Sequence, residues 1–161
     1  MKYITIILAF LVMLSSPVAA QDYDKGLAAY INEDYATAFK EWKPLAEQGL
    51  AIAQLNLGIM YSNGQGVLQD YKEAVKWYKL AAEQGYAKAQ SNLGLMYVLG
   101  QGVIQDYAMA HLWLNIGATN GDELGGTNRD VIAEEMTPAA IQEAQAMARK
   151  CIESNYKECG Y

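Results

Sequence analysis

An all-α fold, built from pairs of helices stacked side by side, is predicted by two features of this sequence. The first is a 36-residue period, since residues 35–70 recur as residues 71–106 with 22 identical positions and no gap. The second is the apolar spacing within each copy, which follows the 3.6-residue period of a helix. A fixed period of this length is typical of repeat arrays whose units bury their apolar faces against one another. We therefore expect an α/α superhelix, or solenoid.

Each unit is predicted to contain two helices. In the second copy, Asp70 occupies the N-cap position of a helix, and Glu73 follows three residues later as in an acidic capping box. Apolar residues then recur on one helical face until Gly85, which is expected to end the helix. A second helix is expected at about residues 87–99, ended by Gly100. Neither helix can bury its apolar face alone, so the copies must stack.

Gly58 and Gly94 lie inside the second helix of their units. A glycine in a helix interior costs about 1 kcal/mol relative to alanine. Its presence at the same place in both copies predicts that a neighbouring helix lies too close to admit a Cβ atom.

The segments AEQG, LG-x-MY and GQGV-x-QDY occur in both copies. In these segments the chain resembles the Sel1-like repeat family, which is related to the tetratricopeptide repeats, from about Gly26 to Met136. The resemblance implies a superhelix that acts as an adaptor or scaffold for other proteins and needs no cofactor. It also implies that the first helices line the concave side.

Residues 1–20 are predicted to be a signal peptide. Lys2 precedes an apolar run from Ile4 to Leu14, and small residues up to Ala20 form a cleavage site before Gln21. The run is too short to cross a bilayer, which needs about 20 residues. We therefore expect a periplasmic or secreted protein without a membrane anchor. Residues 21–34 are expected to form a half-unit that caps the N-terminal end of the array.

The remaining boundaries follow the period. Two complete repeats are expected at residues 35–70 and 71–106, and a degenerate third at 107–136. Residues 137–161 are expected to form a C-terminal capping helix and a tail. The tail is expected to be tied back by a disulfide between Cys151 and Cys159, since paired cysteines in an exported chain favour one. A redox or metal-binding pair is the weaker alternative, because there is no Cys-x-x-Cys spacing.

Composition and motifs point to a protein partner rather than to chemistry. The formal net charge is −6 without a cluster of Lys or Arg, which argues against nucleic acid and anionic membranes. The sole histidine, His111, falls in the packing stripe, so a core role is favoured. No nucleophile elbow, phosphate loop or metal-ligand motif occurs. We therefore predict no enzymatic activity, no cofactor and no metal, and a monomeric chain.

A stripe beside the packing face of each first helix differs between the copies and is the candidate partner site. In the second unit it consists of Glu73, Lys76, Trp77 and Leu80. In the third unit the Trp77 column holds Trp113, which the C-terminal helix could instead cover as core. Trp42 aligns with the packing stripe and is expected in the core. Because tryptophans are enriched at interface hot spots, Trp77 is the strongest single candidate for a contact.

Three functions agree with these features. The leading one is a periplasmic adaptor that binds a partner protein on the concave face of the array. The second comes from the family resemblance, since some exported Sel1-like proteins act as immunity proteins that neutralise a secreted effector enzyme. The third, of a different class, is a weak hydrolase acting on cell-wall peptides or β-lactams.

Overall fold

The computed structural model of the chain describes residues 17–160, so most of the predicted signal peptide lies outside the described residues. All regular structure within this part is helical, which confirms the all-α prediction. In chain order the helices are α1 (Pro17–Ile31), α2 (Tyr35–Glu47), α3 (Ala51–Asn63), α4 (Tyr71–Ala82), α5 (Ala87–Leu99), α6 (Tyr107–Thr119), α7 (Glu123–Ala133) and α8 (Pro138–Glu153). Helix α1 runs through the predicted cleavage site after Ala20.

The ends of the helices follow the local sequence. The Asp70 carboxylate accepts hydrogen bonds from the backbone N–H groups of Lys72 and Glu73 at 2.9 and 3.1 Å. Gly100 ends α5 with a left-handed φ of 63°. The capping box is only half formed, because the backbone N–H of Asp70 donates to the carbonyl of Tyr61 and not to Glu73. This bond fastens the start of one unit to the second helix of the unit before.

The helices stack as an alternating array. The first helices α2, α4 and α6 each pack against the second helix of their own unit and against the helix that precedes it in the chain. The last helix breaks this alternation, since α8 packs against α6. Apolar stripes that single helices cannot bury are therefore buried between units.

Neighbouring helices lie close to Gly58 and Gly94, as predicted. A Cβ atom on Gly58 would lie 2.5 Å from the ring of Tyr78, and one on Gly94 would lie 2.7 Å from Cγ of Leu114. No side chain larger than hydrogen fits at either point without displacing the next unit.

Buried glutamines connect consecutive units through the same hydrogen bonds. Gln54 Nε2 donates to the carbonyl of Ala46, and its Oε1 accepts from Gln84 of the next unit at 2.7 Å. One period later, Gln90 Nε2 donates to the carbonyl of Ala82, and its Oε1 accepts from Asn120 at 2.8 Å. Buried polar groups require such partners, so these bonds fix how one unit sits on the next.

The two ends of the array are closed differently. At the N-terminal end, Trp42 is buried under α1, and its indole N–H donates to the backbone carbonyl of Tyr23. At the C-terminal end the expected disulfide joins Cys151 and Cys159, which are both buried. The helical spacing of Ile141, Ala144, Ala148 and Ile152 predicts that they share the inward face of α8. Ile152 is instead exposed, and the buried residues of the helix are Ala144, Ala148 and Cys151.

Candidate protein-interaction surface

The predicted contact residue Trp113 lies in the core. Its exposed fraction is 0%, and it belongs to an apolar cluster with Met109, Leu112, Ala148 and Cys151. Helix α8 packs on this side of α6 and covers the stripe of the third unit. Trp113 is therefore a structural residue, and its assignment to a partner site is corrected.

Trp77 is also buried, with an exposed fraction of 7%. It packs in the cluster of the first unit together with Trp42, Leu57 and Met60. Its indole N–H has no hydrogen-bond partner among the described residues, and the nitrogen is covered. The expected role of Trp77 as an exposed contact is therefore wrong, because the preceding unit covers the ring that the variable stripe seemed to leave free.

The other members of the stripe remain at the surface. Lys76 Nζ lies 3.2 Å from Glu73 and 5.6 Å from the centre of the Trp77 ring. Leu80 is exposed at 38%. Glu73, Lys76 and Leu80 thus form a small exposed strip, which we call the first-helix strip, and Trp77 is buried beneath it. Partner binding by this strip stays a prediction.

A cleft runs along the second helices, on elements that the stripe does not use. It has a volume of about 270 Å³ and lies between residues of α3, α5 and α7. Its aliphatic lining consists of Leu55, Ile59, Leu95 and Leu124. A smaller cavity of about 120 Å³ between α1 and α3 shares Ile59 with it and adds the aromatic side chains of Tyr23, Tyr30 and Trp42. Apolar walls with a few polar groups are typical of binding clefts.

Three asparagines line these two cavities at the period of the array. Asn56 lines the smaller cavity, whereas Asn92 and Asn128 line the larger one. They are spaced by 36 residues, so each occupies the same position on a second helix. An asparagine side chain offers both donors and an acceptor, which matches the N–H and C=O of an extended backbone.

The asparagines have different partners within the chain. Asn56 Nδ2 donates to the hydroxyl of Tyr23 at 3.3 Å. Burial raises the pKa of Tyr78 to about 12, although hydrogen bonds with Ser62 and Asn92 act in the opposite direction. The Asn128 side chain makes no hydrogen bond within residues 17–160, and the residue lines the cleft. In this row of asparagines, the side chain of Asn128 is therefore available to a partner, whereas those of Asn56 and Asn92 already bond to tyrosines.

Sequence analysis missed these asparagines, although the signal was present. The third unit loses the Ala-x-Ala-Gln and Leu-Gly elements of the second helix, yet it keeps Asn128 in register. A residue that persists where the packing pattern is lost indicates a role other than packing.

Among the described titratable groups, the sole histidine lies in the core. His111 is buried, and burial together with the nearby Arg129 lowers its pKa, while Asp130 acts in the opposite direction. Within residues 17–160, no three His, Cys, Asp or Glu side chains are placed to hold a metal ion. None of the helices in this range combines the length and apolar composition that a membrane span requires.

The family model of the Sel1 repeat matches residues 51–86 and 87–122. Both segments are 36 residues long, as predicted, but they begin at a second helix and end after the following first helix. The predicted units at 35–70 and 71–106 describe the same array with a different starting point. No curated protein matches the chain.

Two solved structures share the fold. One is a protective antigen of uropathogenic Escherichia coli strains that displays an SLR fold, with a TM-score of 0.80 and 32% identity over 88% of this chain. The chain spans only 31% of that protein. The other is a Sel1 repeat protein from Oxalobacter formigenes, with a TM-score of 0.63 and 29% identity, over 77% of this chain and 96% of that protein.

Proposed function

Because this chain is a Sel1-like repeat protein, we propose that it is a non-enzymatic adaptor of the periplasm that binds a partner protein. Sel1 repeat proteins generally mediate protein–protein interaction, and their fold is typically a non-catalytic scaffold. The disulfide between Cys151 and Cys159 supports an oxidising compartment. Processing is checked by N-terminal sequencing of the protein from a periplasmic fraction, which should begin at Gln21.

The partner is proposed to enter as an extended segment in the cleft along the second helices. The observation that carries this proposal is the row of Asn56, Asn92 and Asn128 at the array period. Each amide can pair with one backbone N–H and one C=O of the segment, while the aliphatic walls receive its side chains. This places the site on the opposite layer from the first-helix strip predicted from the sequence.

Selection from a displayed peptide library, followed by affinity measurements, tests the proposal. Peptides selected with the purified chain should lose about tenfold or more in affinity for the double variant Asn92→Ala, Asn128→Ala, because two or more hydrogen bonds of about 0.5–1.5 kcal/mol each are removed. The matched control is Asn63→Ala, since Asn63 lies on the same helix as Asn56 but bonds only to Gln65 among the described residues.

Binding at the first-helix strip would contradict the assignment of the partner site to the cleft. If the selected peptides bind the asparagine variant with unchanged affinity but bind Lys76→Ala, Leu80→Ser weakly, the partner site lies on the first helices and the cleft assignment is wrong. Selection of no peptide at all, from libraries of extended and of helical peptides, would contradict the adaptor function itself.

A further inference from the structure

Two loops between units each hold one aliphatic side chain in solvent. The loops cover residues 64–70 and 100–106, and the side chains are Leu68, exposed at 92%, and Ile104, exposed at 89%. The two residues are one period apart. The preceding valines, Val67 and Val103, instead pack against the core. The outward position is therefore a fixed feature of the loop and is occupied twice by a large aliphatic residue.

Each loop is fastened to the helix before it by a side-chain hydrogen bond. The side-chain amide of Gln69 donates to the carbonyl of Ser62 at 2.7 Å, and that of Gln105 donates to the carbonyl of Val98 at 2.8 Å. Gly66 lies against the first residue of its own unit, where a Cβ atom would be 2.5 Å from the carbonyl oxygen of Tyr35. Binding at Leu68 or Ile104 would therefore require little ordering of the loop, and such ordering is a main cost of association.

The same edge of the array is acidic. Because successive helices are antiparallel, the two loops lie on one edge with residues 31–34 and with the end of α7. The carboxylates along these segments are Glu33, Asp34, Asp70, Asp106, Glu134 and Glu135. The segments contain no Lys or Arg, and Lys72 follows in the first turn of α4. Further exposed apolar side chains at this edge are Ile31 and Leu99. We define the loop edge as these four segments.

We propose that the loop edge is a second docking surface, which binds a cationic amphipathic segment of a partner protein. The apolar side of the segment packs on Leu68 and Ile104, and its positive charges face the carboxylates. Charge complementarity selects this occupant, since a second copy of the chain would bring an equally acidic edge and an anionic lipid surface would be repelled. The surface is separate from the cleft along the second helices, so the array can hold two partners or two segments of one.

Two synthetic peptides of 14 residues provide the test. Both carry leucines at the spacing of one helical face, and the remaining positions are lysine in one and glutamate in the other. The purified chain should bind the lysine peptide and not the glutamate peptide. The double variant Leu68→Ser, Ile104→Ser should weaken binding of the lysine peptide about tenfold or more, and Glu134→Gln, Glu135→Gln should weaken it as well.

The control variant is Leu124→Ser. Leu124 is exposed at 69% on the opposite edge and lines the cleft, so binding at the loop edge should not change in this variant. Equal melting temperatures are expected for all the variants, because the substituted side chains are largely exposed.

Each contrary result identifies a different error. Unchanged binding by the Leu68, Ile104 variant would show attraction by charge alone. Equal binding of the glutamate peptide would show that the carboxylates select nothing. Loss of affinity in Leu124→Ser, or in the Asn92, Asn128 variant, would move the peptide into the cleft. Self-association in sedimentation that disappears in the Leu68, Ile104 variant would make a second copy the occupant. Any of these overturns the proposal, and only a loss of affinity in Leu124→Ser or in the Asn92, Asn128 variant bears on binding in the cleft.

Discussion

The contacts between consecutive units, which we call inner joints, and the closure at the C-terminal end both bury the apolar surface of a unit, but by different interactions. Between the first and second units, and again between the second and third, a buried glutamine reaches back to a carbonyl and forward to the next unit. A glycine in each second helix lets the next first helix approach closely. In the described residues the third unit is followed by helix α8, which together with its disulfide covers the apolar stripe around Trp113.

The difference shows what a repeat array needs at its end. Inner units are held by interactions that recur with the period, so each unit contacts both the unit before it and the unit after it. Among the described residues, the third unit contacts only the unit before it in this way. Its outer surface is closed by Cys151 and Cys159, together with the tail residue Tyr156, whose hydroxyl accepts a hydrogen bond from Asn120. A covalent link thus takes the place of a neighbouring unit, and it uses the two cysteines of the sequence.

Gly94→Leu is expected to have the largest effect, because it breaks an inner joint. The new Cβ would lie 2.7 Å from Leu114 Cγ and 3.1 Å from the carbonyl oxygen of Ala110, so the third unit must shift. We expect the free energy of unfolding to fall by about 3 kcal/mol or more, measured by urea denaturation. Gly126→Leu is the control, since only the Cβ of Ala118 lies near it, at 3.6 Å. Leucine favours a helix more than glycine does, so Gly126→Leu should be neutral or slightly stabilising. An equal loss in both variants would contradict the close-packing explanation.

Removal of the disulfide by Cys151→Ala, Cys159→Ala is expected to have the next largest effect. The chain-entropy model gives a loss of about 2–3 kcal/mol for so short a loop. The loss should be local, so hydrogen exchange should speed up in α8 and α6 and stay unchanged in α2 and α3. Reduction of the unmodified chain should reproduce the pattern. Faster exchange throughout the array would mean that the end closure supports the inner joints as well.

Gln90→Ala should cost about 2 kcal/mol of unfolding free energy, because it leaves the buried carbonyl of Ala82 without its side-chain partner. Gln54→Ala removes the same bonds one unit earlier and should cost a similar amount. The exposed residue Gln142, changed to Ala, gives the baseline. The comparison is made by thermal melts of the three variants, and a large cost at only one joint would contradict their equivalence.

The fold was predictable because its determinants are local and repeated. The caps at Asp70 and Thr137, the end of α5 at Gly100 and the approach at Gly94 all follow from the residue itself and its period. The disulfide was predictable because only one pairing exists. These features can be predicted without knowing which surface of a unit its neighbour covers.

The candidate site was only partly predictable, since exposure depends on the neighbours. Trp77 and Trp113 occupy a column that varies between copies, and variation alone does not distinguish a free surface from one covered differently in each unit. Glu41 occupies that column in the first unit and forms an ion pair with Lys25 of α1. The cleft was missed because its lining comes from three second helices, which only the stacked structure brings together.

The smallest expected effect concerns His111, which lies in the third unit at the column of Phe39 and Val75. Its pKa is lowered in the folded chain by burial and by Arg129, so the unfolded state binds a proton more readily. Stability should therefore decrease as the pH falls from 7 to 5, through the ordinary pKa of an unfolded histidine. Because this is the sole histidine of the chain, His111→Gln should flatten the change in melting temperature over that range. If the melting temperature of His111→Gln still falls with pH, the pH dependence comes from carboxylates. If the melting temperature of the unmodified chain instead rises as the pH falls, Asp130 outweighs burial and Arg129 in setting the pKa of His111.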